Sequence, residues 1–382
     1  MAESRDAAEA VVAGHICLDI IPAVTDYDSG EVAPLRPGML VHVGAVTLAT
    51  GGAVANTGIA LHRLGVRTSL MGKMGGDLFG QGILDALKGA GSALSEGMIE
   101  DQRASTSYSI VLSLRGSDRT FLHFPGANDL FSASDIPYET LAGASVFHFG
   151  YPPLMARFYD DGGAELVAML SRVRQVGVRT SLDMACPGPG SRARDVSWPE
   201  ILKAALPYVD FFSPSWDDLV VLLGLPDDQP DASALTHVSE QMLAWGTRLV
   251  MIKLGSFGAY FRTANREFLS PCFVVDVAGT DGAGDATIAG LLAAWLQGMP
   301  LERAATVAVA VGACCVEAHD ATSGILDWEA TLRRIDKGWA RRETILLSGW
   351  RWDEGNAIYS GPGNTGGAAC DGWPTPKNRQ LR

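Results

Sequence analysis

An α/β fold with a mostly parallel sheet and helices on both faces is what the sequence predicts, and three observations predict it. Short β-rich runs alternate with helical runs along most of the chain, and glycines close many of them. Of the 382 residues, 47% are hydrophobic and 19% charged, enough apolar material for one large core.

The elements follow in order. Val11 to Ile21 reads as a strand, Ala53 to Leu64 as a helix, Arg67 to Met74 as a strand and Leu78 to Lys88 as a helix. The alternation resumes with strand Ser145 to Phe149, helix Gly163 to Val176, strand Val178 to Met184 and helix Trp198 to Leu206. Strand Tyr208 to Ser213, helix Trp216 to Leu223, helix Ser233 to Trp245 and strand Arg248 to Leu254 complete the series, and such alternation builds a parallel sheet. Two intervals break the rhythm: Val32 to Leu48 and Thr106 to Phe124 carry β-branched and aromatic residues around turns such as Arg115-Gly116-Ser117-Asp118, with no helix between. They suit a small sheet standing off the main domain, read as a lid over a cleft, an edge extension or a dimer contact. From about Trp339 the chain turns to Trp, Gly, Pro and mixed charge, so a peripheral or partly disordered extension is expected over 339–382.

Composition excludes several classes. A net charge of −13 without clustered Lys and Arg argues against nucleic acid and favours a small-molecule partner. The acidic start Met1 to Ala10 does not resemble a signal peptide, and the apolar stretch Ala304 to Val316 is too short to cross a bilayer, so no membrane partner and a cytoplasmic setting are expected. Six cysteines (Cys17, Cys186, Cys272, Cys314, Cys315, Cys370) lack Cys-x-x-Cys or zinc spacing and are expected to be reduced core residues.

Two glycine-rich segments carry the chemistry. In Gly279-Thr-Asp-Gly-Ala-Gly-Asp285 a carboxylate stands where a flexible turn enters the apolar helix Ala286 to Gln297. The first amides of a helix have no internal partners and point at an anion, and a carboxylate beside bound phosphate can accept a hydroxyl proton. Taken alone, the run also reads as an ordinary loop-to-helix junction capped by Asp. The second segment, Gly51-Gly52-Ala53-Val54-Ala55-Asn56, ends at Arg63-Leu64-Gly65; its paired glycines admit a ligand to the backbone, and its Asn can donate to and accept from hydroxyls.

Together the two segments resemble the ribokinase-like, or PfkB-type, carbohydrate kinases. Gly75-Gly76-Asp77-x-x-Gly80, Gly126-Ala127-Asn128 and Lys253-Leu-Gly255-Ser-x-Gly258 match in order across roughly residues 11 to 335. The resemblance implies a three-layer α/β/α kinase domain over 11–338, with a discontinuous β lid from about 22–48 and 104–125. It implies Asp285 as catalytic base toward the γ-phosphate of ATP, with the amides of Gly282, Ala283 and Gly284 as an anion hole. Asp19, Gly51, Gly52 and Asn56 would hold a sugar-type acceptor; Lys253, Gly255, Gly258 and Ser215 would face the nucleotide. A homodimer through the lid is also consistent with it.

Three departures qualify the carry-over. The family's Asn-x-x-Glu motif appears as Ser215-Trp216-Asp217-Asp218, so Asp218 would hold Mg2+ through water while Ser215 either meets the ligand or caps the following helix. Gly279 replaces the Asp that serves the monovalent-cation site, which leaves that cation open, with Asp276 as a nearby substitute. Ala53 and Tyr151 stand where ribokinase has a lysine and, nearby, a sugar-binding glutamate, so ribose is doubtful. His15 and His148 are expected to be structural, and Arg103 and Arg119, flanking lid strands, are candidates for a charged substrate group. A Rossmann dehydrogenase is disfavoured because the first strand-turn-helix lacks Gly-x-Gly-x-x-Gly; a non-catalytic regulatory protein on the same scaffold is the remaining alternative.

Overall fold

The first predicted strand is two strands in two different sheets. In the computed structural model, which describes residues 8–24, 38, 40–112, 120–345, 347–362, 364, 373 and 376, β1 (Ala10–Gly14) lies in the central sheet and β2 (Cys17–Pro22) in the lid. The break has a steric cause. Gly14 has φ 127°, and a Cβ there would stand 2.4 Å from the Gly150 carbonyl oxygen, so only glycine lets the chain leave the sheet at this point.

From β2 the chain returns through β3 (Val46–Gly51) into α1 (Ala53–Arg63), then β4 (Thr68–Met71), β5 (Lys73–Gly75), α2 (Leu78–Ala90) and β6 (Ile99–Asp101). The lid strands β7 (Tyr108–Leu112) and β8 (Thr120–Phe124) and the short α3 (Tyr138–Leu141) precede β9 (Val146–Gly150). Regular alternation then gives α4 (Ala164–Gln175), β10 (Arg179–Asp183), α5 (Trp198–Ala205), β11 (Phe211–Phe212), α6 (Trp216–Leu223), α7 (Ala232–Ala244) and β12 (Leu249–Lys253). The hairpin β13 (Ala259–Arg262) and β14 (Glu267–Ser270) leads to α8 (Ala283–Leu296), α9 (Leu301–Cys315) and α10 (Trp328–Asp336).

The sheet order β12-β11-β10-β9-β1-β4 is parallel throughout, and β13, β14, β16 and β15 extend it antiparallel beyond β12. Here β15 is Arg351–Asp353 and β16 is Ile358–Ser360, so the segment after Trp339, expected at the periphery, supplies the outermost strands. Alternation within each strand divides the core. Val12, Phe211 and Met251 face α1, α8 and α9, whereas Val11, Phe212, Val250 and Ile252 face α4 to α7.

The lid is a four-stranded sheet in the order β3-β2-β7-β8. Its register pairs Asp19 with Ala49 and Ser109, and Ser109 with His123, so these share one face; Ile20, Leu48, Ile110 and Leu122 share the other. Arg115-Gly116-Ser117-Asp118, Arg119, Cys370 and residues 32–37 lie outside the described residues. Among the described residues no helix is long and apolar enough to cross a membrane.

Candidate active site

The sheet changes direction between β1 and β9, because β4 follows on one side and β10 to β12 on the other. Ligands of open α/β sheets sit at the carboxyl ends of the strands beside such a switch. Here those ends present His15 after β1, Tyr151 after β9, Asp183 closing β10, Ser215 beyond β11 and Lys253 closing β12.

Two cavities meet there. One, of about 850 Å3, is bordered by Asp218, Lys253, Gly255, Gly258, Ala283 and Gly284; the other, of about 970 Å3, lies under the lid and is bordered by Asp19, Gly52, Asn56, His15, His123 and Gly282. Tyr151 and Cys186 border both. Of the sequence-selected residues, Ser215, Lys253, Gly255 and Gly258 border the first cavity, Asp19, Gly52 and Asn56 the second, and Gly51 and Asp285 neither.

Asp285 lies in the first turn of α8, 2% exposed. Its Oδ2 accepts hydrogen bonds from Asn56 Nδ2 at 3.0 Å and Tyr151 Oη at 2.7 Å, and its Oδ1 accepts from Thr57 Oγ1 at 3.1 Å. Burial pushes its carboxyl above the usual range, while Lys253 and these three donors hold it down. The helix begins at Gly282, which has φ 71° and has no room for a side chain, since a Cβ would stand 2.5 Å from that of Ala321. A Cβ on Gly284 would stand 3.3 Å from Lys253 Nζ, so the ammonium lies directly against the helix start.

Lys253 Nζ donates to Asp183 Oδ1 at 2.7 Å. Burial works against the ammonium, but Asp183, Asp218 and Asp285 around it prevail and raise its pKa. Asp183 is pushed up to about 7 by burial, with Lys253 opposing, and its Oδ2 has no hydrogen-bond partner among the described residues. Ser215 and Asp218 form a capping box: Ser215 N donates to Asp218 Oδ2 at 2.8 Å, and Asp218 N donates to Ser215 Oγ at 3.0 Å. The helix-capping alternative for Ser215 therefore describes its contacts, while both residues still border the first cavity.

On the lid side, the Asp19 carboxylate lies over Gly51, where a Cβ would be only 2.2 Å from its Oδ2. Gly52 has φ 87° and faces the ring of His15. Asn56 Oδ1 is buried without a partner among the described residues, an acceptor beside the second cavity. Asn128 has a different role: it holds the backbone of Ile16 with Oδ1 at 3.1 Å and Nδ2 at 2.9 Å, fixing the crossing into the lid. Asp77 likewise secures the lid, accepting from Thr106 N and Thr106 Oγ1 at 2.8 and 2.6 Å.

Several expectations change. His15 is buried yet borders the second cavity, its Nε2 3.3 Å from His123 Nε2, and burial with His123 nearby keeps its pKa well below the ordinary value. His148 remains structural in its contacts, with Nδ1 2.9 Å from Ser181 Oγ and a pKa lowered to about 3 by burial, then by Lys253. Cys17, Cys314 and Cys315 are buried, but Cys186 is exposed and Cys272 intermediate, because both border cavities. Arg103 pairs with Asp101 at 3.0 Å and borders neither cavity, and Asp276 is exposed. Asp183, His123 and Thr57 were not singled out by sequence; a strand-end position was the available signal for Asp183.

A three-layer α/β enzyme whose two cavities meet at Tyr151, which is hydrogen-bonded to one buried carboxylate, is the class that fold and site define. The pfkB family carbohydrate kinase profile matches residues 7–328, and the chain belongs to that family. Among curated relatives, it is 27% identical over 281 residues to Fructokinase-2 of Oryza sativa subsp. japonica, spanning 73% of this chain and 77% of that one. Fructokinase-1 of Zea mays is 28% identical over 285 residues, spanning 73% and 80%. Of solved structures, ribokinase from Thermotoga maritima superposes with a TM-score of 0.68 at 19% identity over 86% of this chain and 99% of that one. Fructokinase with bound ATP from Xylella fastidiosa gives 0.68 at 20% identity over 86% and 98%.

Proposed function

We propose that this carbohydrate kinase moves the γ-phosphate of ATP to an alcohol of a sugar or related polyol, with Asp285 as general base. The observation that carries the reading is the place of Asp285, in the first turn of α8 and hydrogen-bonded to Tyr151, the residue that borders both the first cavity and the cavity under the lid. A base here takes the acceptor's proton as its oxygen attacks phosphorus in line. The amides of Gly282, Ala283 and Gly284, with Lys253 against them, would meet the negative charge that develops on the transferred group.

The acceptor would lie beneath the lid against Asp19, Gly51, Gly52 and Asn56, and the nucleotide against Lys253, Gly255, Gly258 and Ser215. The unpartnered Asp183 Oδ2 and the carboxylate of Asp218, both bordering the first cavity, are hard oxygen donors of the kind that would hold a divalent cation. Mg2+ held through Asp218 would supply charge neutralisation of the phosphates. The kinase domain would span 11–338 with its lid from about 22–48 and 104–125, and 339–382 as an extension. A cytoplasmic setting fits a sugar kinase of this kind.

Fructose heads the acceptor candidates because the two curated relatives named above are fructokinases. ADP release over sugars, sugar acids, nucleosides and sugar phosphates, with and without potassium, tests the reading. Asp285→Asn is expected to bind ATP normally and turn over at least about a hundredfold more slowly. No turnover with any acceptor despite tight Mg-ATP binding would favour the regulatory alternative.

The lid also supports a homodimer. Its outward face carries Leu48 at 59% exposure and Leu122 at 51%, continuous with Ile20 and Ile110, while its inward face borders the acceptor cavity. A second copy of the same face would cover this stripe sheet to sheet.

A further inference from the structure

We propose that Tyr151 is a catalytic residue that relays the acceptor's proton to Asp285. This rests on the reading of Asp285 as the base. Its premise is positional: Asp285 is buried and borders neither cavity, whereas Tyr151 borders both and donates its phenolic proton to Asp285 Oδ2 at 2.7 Å. An acceptor hydroxyl under the lid therefore meets Tyr151 Oη before it meets the carboxylate.

The chain holds this ring in place at a backbone cost. Tyr151 has φ 67° and ψ 44°, left-handed values that an aromatic residue rarely adopts. The turn is fixed on both sides: a Cβ on Gly150 would stand 2.1 Å from that of Ala53, and Pro152 and Pro153 follow, both buried. The conformation directs the phenol to the junction of the cavities, where its ring centroid lies 6.0 Å from that of His15. Strain maintained at a cavity wall in contact with the base marks a functional constraint.

The step balances without a further reactant. The acceptor O–H bond breaks as its proton passes to Tyr151 Oη, and the phenol's own proton passes to Asp285 Oδ2. The acceptor oxygen bonds to phosphorus, and the electrons of the broken P–O bond leave with ADP. Tyr151 ends neutral and Asp285 protonated. The surroundings favour this order of protons. Burial, then Asp285, Asp183 and Asp218, keep the phenol protonated, so it is a donor throughout. Lys253 from β12 faces Asp285 as a cation, and Cys315 of α9 is held as a thiol by burial and by Asp285.

The test is Tyr151→Phe, which removes one oxygen and keeps the ring. Single-turnover phosphoryl transfer should slow about a hundredfold with ATP affinity and melting temperature unchanged. In mixtures of H2O and D2O the rate of the unaltered protein should curve with deuterium fraction, as two moving protons require, and that of Tyr151→Phe should follow a straight line. The Asp285→Asn, Tyr151→Phe double variant should be no slower than Asp285→Asn alone. A Tyr151→Phe rate within twofold of the unaltered protein, a straight line before substitution, or fully additive losses would overturn the relay. If Asp285→Asn itself turns over normally, the base assignment fails instead; a dead Asp285→Asn beside a fast Tyr151→Phe leaves the base standing and removes only the relay.

Discussion

Replacing Gly51 with alanine asks whether the second cavity holds the acceptor through Asp19. The added methyl carbon would stand 2.2 Å from Asp19 Oδ2, 2.6 Å from Cγ and 2.7 Å from Oδ1. Nonbonded atoms rest at roughly 3.5 Å, so the carboxylate must move by about 1 Å. Gly51 does not adopt a left-handed conformation, so the strand itself accepts alanine and the perturbation falls on Asp19. A displaced charge-assisted hydrogen bond is worth about 1.5–3 kcal/mol, which corresponds to a rise of about ten- to hundredfold in the acceptor KM. The assay varies acceptor at saturating ATP, then ATP at saturating acceptor, for Gly51→Ala, Asp19→Ala and the pair. The acceptor KM should rise in each while the ATP KM stays within twofold, and the double variant should match Asp19→Ala. Equal rises in both constants, or an unchanged acceptor KM, would refute the assignment of Asp19.

Three further outcomes are expected. Turnover should fall on the acid side with a midpoint above the ordinary carboxylate range, because burial raises Asp285 and the base works ionised; Tyr151→Phe should move that midpoint higher by removing a donor, and a kcat–pH profile checks both. Gly258→Ala meets a left-handed φ of 102° and a Ser270 carbonyl 2.1 Å from the new Cβ, so the urea midpoint should drop by an amount equivalent to about 2 kcal/mol or more and the ATP KM should rise. Leu48→Asp places a charge on the lid's outward face and should convert a dimer to monomers in sedimentation velocity, with the monomer retaining its folded spectrum.

The motifs were legible because each glycine answers a local steric demand that the sequence displays. Gly282 and Gly52 open helices with positive φ, and Ser215 with Asp218 three residues on spells its own capping box. The alternating strands were legible for the same reason, since Val250 and Ile252 must face one layer and Met251 the other. What escaped depends on contacts distant in sequence. The split between β1 and β2 is imposed by Gly150, and the importance of Tyr151 arises from Asp285, 134 residues away. His15 reads as a core residue because it is one by burial; its contact with His123 of the lid, 108 residues away, at the second cavity has no signal in the local sequence.

The two strands after Trp339 carry a practical consequence. The family profile ends at residue 328, which invites trimming the chain there. Yet β16 pairs with β14, whose residues Glu267–Ser270 are all buried, and Gly361 N donates to Glu267 O at 2.8 Å. Removing the tail would bare a buried strand carrying Phe268 and Leu269, with its edge amides unsatisfied, a ready template for other chains. Shortened versions should therefore precipitate as they are made, and the hairpin of β15 and β16 acts as a hem that keeps the sheet from unravelling into its neighbours.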